Sequence, residues 1–192
     1  MTQTHANREE WLSAAITELR PLFTLEGHPI SDRIRVSCGF PAHHARSGKV
    51  GECHASAASA DQHYEILISP VLADPEQVLG VLIAELAHTR PGCLGYGQGY
   101  QTACASMGLI AADGNWKAPV PVSTFGSIYS GILASLGPYP HAELSVGNGK
   151  TQSTRMLKAA CPCCGYTIRL TQKWVDKGLP VCPVDGAQIT LA

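Results

Sequence analysis

EILISPVLADPEQVLGVLIAELAH, residues 65–88, carries a strand, a turn and a helix in one run. The apolar residues at 64–68 predict a strand. Pro70 closes it, and Asp74-Pro75 opens a helix predicted over 75–89, with proline at the favourable first helical position. Upstream, residues 51–56 predict a second strand, joined to the first by a polar turn around Asp61. IRVSCGFP (34–41) predicts a third, because Ile34 and Val36 alternate with polar residues. Residues 8–24 place Trp11, Leu12, Ala15, Ile16 and Leu19 at helical spacing behind Glu9 and Glu10, and Pro21 is expected to end or bend that helix.

Downstream, a helix is predicted over 98–109, a Gly/Pro-rich connection over 110–124 and a short helix over 125–136. LGPYPH (136–141) must be irregular, because a residue that precedes proline is pushed out of the helical region. The polar, glycine-rich stretch 145–154 reads as a linker. The pattern predicts an α+β fold, with a short antiparallel sheet beside the helix 75–89. Its domains are 1–144 and 155–192.

Composition narrows the class. At 192 residues with 45% hydrophobic content and a net charge of −1, the chain suits one ordinary domain plus a small appendage. No apolar run reaches the length that spans a bilayer, and the N-terminus lacks a basic stretch followed by an apolar core. A cytoplasmic protein is expected. In that compartment the eight cysteines read as metal ligands or buried thiols rather than disulfides. Residues 150–192 hold six Lys/Arg against two Asp/Glu, whereas 1–149 are acidic. The basic end permits a polyanionic partner. Arg155, Lys158, Arg169, Lys173 and Lys177 are its candidate nucleic-acid-binding residues, and Tyr166 and Trp174 could stack on bases. A small module also needs an apolar core, and Trp174 is expected to supply part of it.

Two motifs carry chemistry. Cys161-Pro-Cys-Cys164 is followed, after seventeen residues, by Cys182-Pro-Val-Asp185, and a glycine follows each knuckle. Two short knuckles each delivering two ligands fit a tetrahedral zinc, with Cys161, Cys164 and Cys182 as thiolates and Asp185 where a fourth cysteine is expected. A segment of this size buries too little apolar surface to fold alone, so the metal would supply folding energy. The second motif is Ala84-Glu85-Leu86-Ala87-His88 on the helix. A histidine at 84 would complete H-E-x-x-H, in which two imidazoles bind zinc and the glutamate is general base. By itself, Glu-x-x-His on a helix is common and means little.

VSCGFP (36–41), GEC (51–53), the stretch 65–88 and GYGQGYQTACASMGL (95–109) together resemble the SprT-like (Spartan-type) zinc metallopeptidase family. LGPYPHAEL (136–144) and residues 154–183 are similar to the tail of its phage-encoded members. The resemblance implies a zincin-like domain with an active-site helix, followed by a C-terminal zinc ribbon, in the host cytoplasm if phage-encoded. It implies Glu85 as the general base and His88 as a zinc ligand. The other two ligand positions fall on Ala84 and Tyr96. Alanine has no donor atom, and a phenol binds zinc only after losing a proton with an ordinary pKa of about 10. The catalytic zinc site is therefore written in a degenerate form, since such sites need three protein ligands. His54, or its sequence neighbours His43, His44 and His63, could stand in. Cys104 is expected in the core, while Cys93 lies in the turn that carries Tyr96. The resemblance implies DNA or a DNA-bound protein as partner, without a membrane. Two readings stay open: a catalytically impaired binding module, or an active peptidase whose site is rebuilt or whose substitutions were engineered.

Overall fold

Helix α1, Arg8–Leu25, begins at Asn7, whose side chain accepts the Glu10 N–H at 2.8 Å. It does not stop at Pro21. Phe23 and Leu19 are fully buried, and their packing carries the helix one further turn past the missing hydrogen bond. A computed structural model describes residues 4–42, 48–145 and 156–191. They form a mixed α+β protein in two compact units, Met1–Ser145 and Val146–Ala192. The expected linker 145–154 lies outside the described residues apart from Ser145.

In the first unit, β1 (Ile34–Cys38), β2 (Gly51–His54) and β3 (Tyr64–Ile68) form one sheet in the order β1-β3-β2. The expectation of an antiparallel sheet holds for only one pair. β2 runs antiparallel to β3, but β1 runs parallel to it, with Val36 opposite Ile66 and Cys38 opposite Ile68. The β2–β3 hairpin takes one edge of β3, so β1 enters along the other. Ile66 and Ile68 are buried, and their register partners Val36, Cys38, Gly51 and Cys53 share that covered face. Arg35, Glu52, His54 and Glu65 occupy the opposite face, where Arg35 pairs with Asp61 and Glu65.

Helix α2, Pro75–Ala87, is capped by Asp74, which accepts the Glu76 N–H at 2.8 Å. Val78, Leu79, Leu82, Ile83, Leu86 and Ala87 are all fully buried, so most of the helix surface lies in the core. Helix α3, Gln98–Ser106, ends before Gly108, whose φ of +77° only glycine adopts without strain. The stretch expected to be a connection is instead a hairpin, β4 (Leu109–Ala112) and β5 (Asn115–Pro121). Asp113 and Gly114 turn it, both with positive φ. β5 packs closely on α2: a side chain at Gly80 would meet Pro121 Cγ at 2.8 Å. The helix expected over 125–136 divides at Tyr129 into α4 (Phe125–Ile128) and α5 (Ser130–Leu136), and Tyr129 Oη donates to the Met107 carbonyl at 2.9 Å.

The second unit is a three-stranded antiparallel sheet, order β7-β6-β8, of β6 (Leu157–Ala160), β7 (Thr167–Leu170) and β8 (Thr190–Leu191), with a short helix α6 at Gln172–Val175. Its core is Ala159, Cys161, Cys182 and Ile189, flanked by Ile168, Leu170, Leu179 and Ala187. Trp174 is not part of it. The residue is 58% exposed, with the Lys173 ammonium 5.6 Å over its ring. The two buried cysteines take the central place in this core that the sequence reading gave to the indole.

Candidate metal centre

The two knuckles of the second unit share a set of turn bonds. Cys161 N–H donates to the Tyr166 carbonyl at 2.9 Å, and Cys182 N–H to the Ala187 carbonyl at 2.7 Å. Gly165 N–H returns to the Cys161 carbonyl at 3.0 Å, and Gly186 N–H to that of Cys182 at 2.9 Å. Gly165 and Gly186 have φ of +76° and +72°, a turn that a side chain would strain. The leading sulfurs also match: Cys161 Sγ accepts the Cys163 N–H and Cys182 Sγ the Val184 N–H, each at 3.4 Å. At the second ligand position the backbone N–H of Tyr166 bonds Cys164, and that of Ala187 donates to Asp185 Oδ1 at 3.0 Å. Asp185 thus occupies in its knuckle the place that Cys164 occupies in the other.

The result is convergence. One ligand atom from each of Cys161, Cys164, Cys182 and Asp185 lies within 4.8 Å of the others, and this group could hold a metal ion. Cys161 Sγ sits 3.4 Å from both Asp185 oxygens, and Cys164 Sγ 3.4 Å from Cys182 Sγ. Cys161 and Cys182 are buried, while Cys164 and Asp185 are exposed. The Ala187 N–H, with the neighbouring thiols, holds the Asp185 carboxyl down at about 2, so it offers a charged oxygen across the physiological range. Cys163 is exposed and stands outside the group. Three sulfurs and one carboxylate at these separations suit a tetrahedral divalent ion.

Around Glu85 and His88 the arrangement differs. His88 is 8% exposed, stacked on Tyr100 at 4.1 Å, and its Nδ1 lies 2.7 Å from the Cys93 carbonyl. A carbonyl only accepts, so Nδ1 carries the proton and Nε2 keeps its lone pair. Burial lowers the pKa of this imidazole, favouring the neutral form. Tyr96 brings its ring edge-on to His88, 5.4 Å between centroids, and is 40% exposed. Ala84 is buried on the same helix. The Glu85 carboxylate lies where Gly51 leaves room: a side chain at 51 would meet Glu85 Oε1 at 2.5 Å and Val81 Cγ1 at 2.6 Å. Burial pushes the Glu85 pKa up to about 8, against the pull of Lys49 and with a further rise from Glu52.

Among the described residues, no second group of three or more His, Cys, Asp or Glu converges on a point. His54 does not reach toward Glu85. The pleat turns Gly51 and Cys53 to α2 and sends His54 to the other face, where it lies 3.8 Å from Glu52. His63 lies beside Asp61 at 3.4 Å. His43 and His44 lie outside the described residues. Cys104 is fully buried, and Cys93, also buried, contributes its carbonyl rather than its thiol to His88. The sequence reading missed Lys49, which bonds Glu52 at 2.9 Å and acts electrostatically on both Glu85 and His88. A lysine in a glycine-rich loop carries no motif that would have flagged it.

Of the basic candidates, Lys158 and Arg169 are cross-strand partners on one face of the sheet, both exposed. Lys173 and Lys177 are exposed near α6, and Arg155 lies outside the described residues. Tyr166 is 42% exposed. No helix among the described residues is long and apolar enough to cross a membrane. Comparison of the chain with family models, with curated proteins and with solved structures gave no match.

Proposed function

We propose that this chain is a SprT-like, zincin-like module that has lost its catalytic zinc and binds DNA, or a protein on DNA, without cutting it. Its zinc is held by the C-terminal ribbon through Cys161, Cys164, Cys182 and Asp185. The observation that carries this reading is the pair Ala84 and Tyr96: His88 is left as a single imidazole, with no three-donor group beside it among the described residues. A metal that polarises water needs three protein ligands and an open position. Without it Glu85 has no activated water to deprotonate. The ribbon's exposed Lys158, Arg169 and Lys173 supply the cationic surface, with Tyr166 and Trp174 as stacking groups.

A second reading is favoured by what remains in place. Gly51 still makes room for the Glu85 carboxylate, and Cys93 still holds His88 in the tautomer that ligates through Nε2. A peptidase that stays active, with its zinc site rebuilt around His88, would keep both features. One assay separates the two. The chain, loaded with zinc, is incubated with a denatured protein substrate beside Glu85→Gln. The proposal expects both to be equally inert; hydrolysis by the chain that Glu85→Gln abolishes would overturn it.

A further inference from the structure

We infer that Asp185 is the selectivity-determining ligand of the ribbon centre, tuning it away from soft thiophilic ions. The inference rests on the ribbon reading above and deepens it. Its basis is the near-duplication of the two knuckles. The backbone turns, the glycine conformations and the N–H bonds made at both ligand positions repeat from Cys161–Gly165 to Cys182–Gly186, and among the ligand positions the departure is a carboxylate at the second. The bond to the N–H two residues on is one that an Asp makes in ordinary turns, but a side chain displaced from a metal site has no reason to keep the approach to the neighbouring thiols. Asp185 keeps it, with Oδ1 fixed by Ala187 N–H and both oxygens 3.4 Å from Cys161 Sγ.

The chemistry follows from the donor set. Four thiolates favour soft ions, and exchanging one for a hard carboxylate oxygen shifts the balance toward borderline ions such as zinc and cobalt. The shift falls on the exposed side of the centre, because Cys161 and Cys182 are buried while Cys164 and Asp185 face solvent. Cys163, exposed beside Cys161, is the thiol that could compete for the same position.

The test uses the full chain. Cadmium and zinc compete for the wild type, Asp185→Cys and Asp185→Ala, and the cobalt(II) spectrum of each is recorded. Asp185→Cys should raise the cadmium-over-zinc preference by about tenfold or more, and its sulfur-to-cobalt charge transfer should grow from three thiolates' worth to four. Asp185→Ala should keep the three-thiolate spectrum and bind cobalt more weakly, and it serves if the cysteine variant does not fold. An unmoved preference in Asp185→Cys, or cobalt affinity and spectrum unchanged in Asp185→Ala, would overturn the inference. So would loss of a thiolate's charge transfer in Cys163→Ser, since Cys163 would then be the ligand. A wild type that binds no ion at all fails differently, removing the ribbon reading itself.

Discussion

Glu85 keeps a carboxylate in a place that disfavours its charge. Burial raises its pKa from 4.5 to about 8, and Lys49 does not cancel the effect. Between those two values the folded chain binds a proton that the unfolded chain releases, so this group's stabilising contribution falls as pH rises from 5 to 8. The slope is at most about 1.4 kcal/mol per pH unit. His88 acts in the opposite sense. Its lowered pKa gives a contribution that is full above 6.5 and lost as pH falls. Glu85→Gln isolates the first effect. The variant should match the wild type in urea midpoint near pH 5 and exceed it at pH 8; an equal midpoint at both values would show that the carboxylate is solvated. Little of this could be read from sequence. Glu-x-x-His was visible, but the space that Gly51 clears depends on a strand register, and Lys49 acts from a loop.

At the scale of elements, helices α1, α2 and α3 follow the apolar spacing of the sequence to within a few residues, although α1 runs on past Pro21. Strands β2 and β3 also fall where the pattern put them. The hairpin β4–β5 was missed although its signal is present: Asp113-Gly114 is a dipeptide that a two-residue hairpin turn favours. Pro119 and Pro121 hid it, because prolines demote a strand unless they sit at an edge. β5 has a single neighbour and so can carry them. The end of the first unit is fastened by a residue no motif marks. Arg8, 8% exposed, donates to the carbonyls of Pro70, Pro140 and Ala142, and its guanidinium lies 5.6 Å over the Tyr139 ring. Arg8→Met keeps the aliphatic stem and leaves these carbonyls unpaired. It should lower stability by about 2–3 kcal/mol, read as a fall in melting temperature; a change within about 0.5 kcal/mol would mean water replaces the guanidinium.

The whole molecule pairs two solutions to the same problem. Residues 4–145 bury an apolar core of their own built around Trp11, Phe23, Leu79 and Leu82. Residues 156–191 have four buried residues at their centre, two of them cysteines, a core so small that a metal held there would supply folding energy. The C-x2-C…C-x2-D spacing was enough to find this centre. Its fourth member was legible only by position, and the 3.4 Å approach of both Asp185 oxygens to Cys161 Sγ is geometry that sequence does not display. The most direct test of the account is metal content by elemental analysis of the purified chain beside Cys161→Ser. It predicts one zinc per chain, absent from the variant, with the first unit metal-free. Two ions per chain, one of them surviving in Cys161→Ser, would contradict it and make the ligands of the surviving ion the next thing to find.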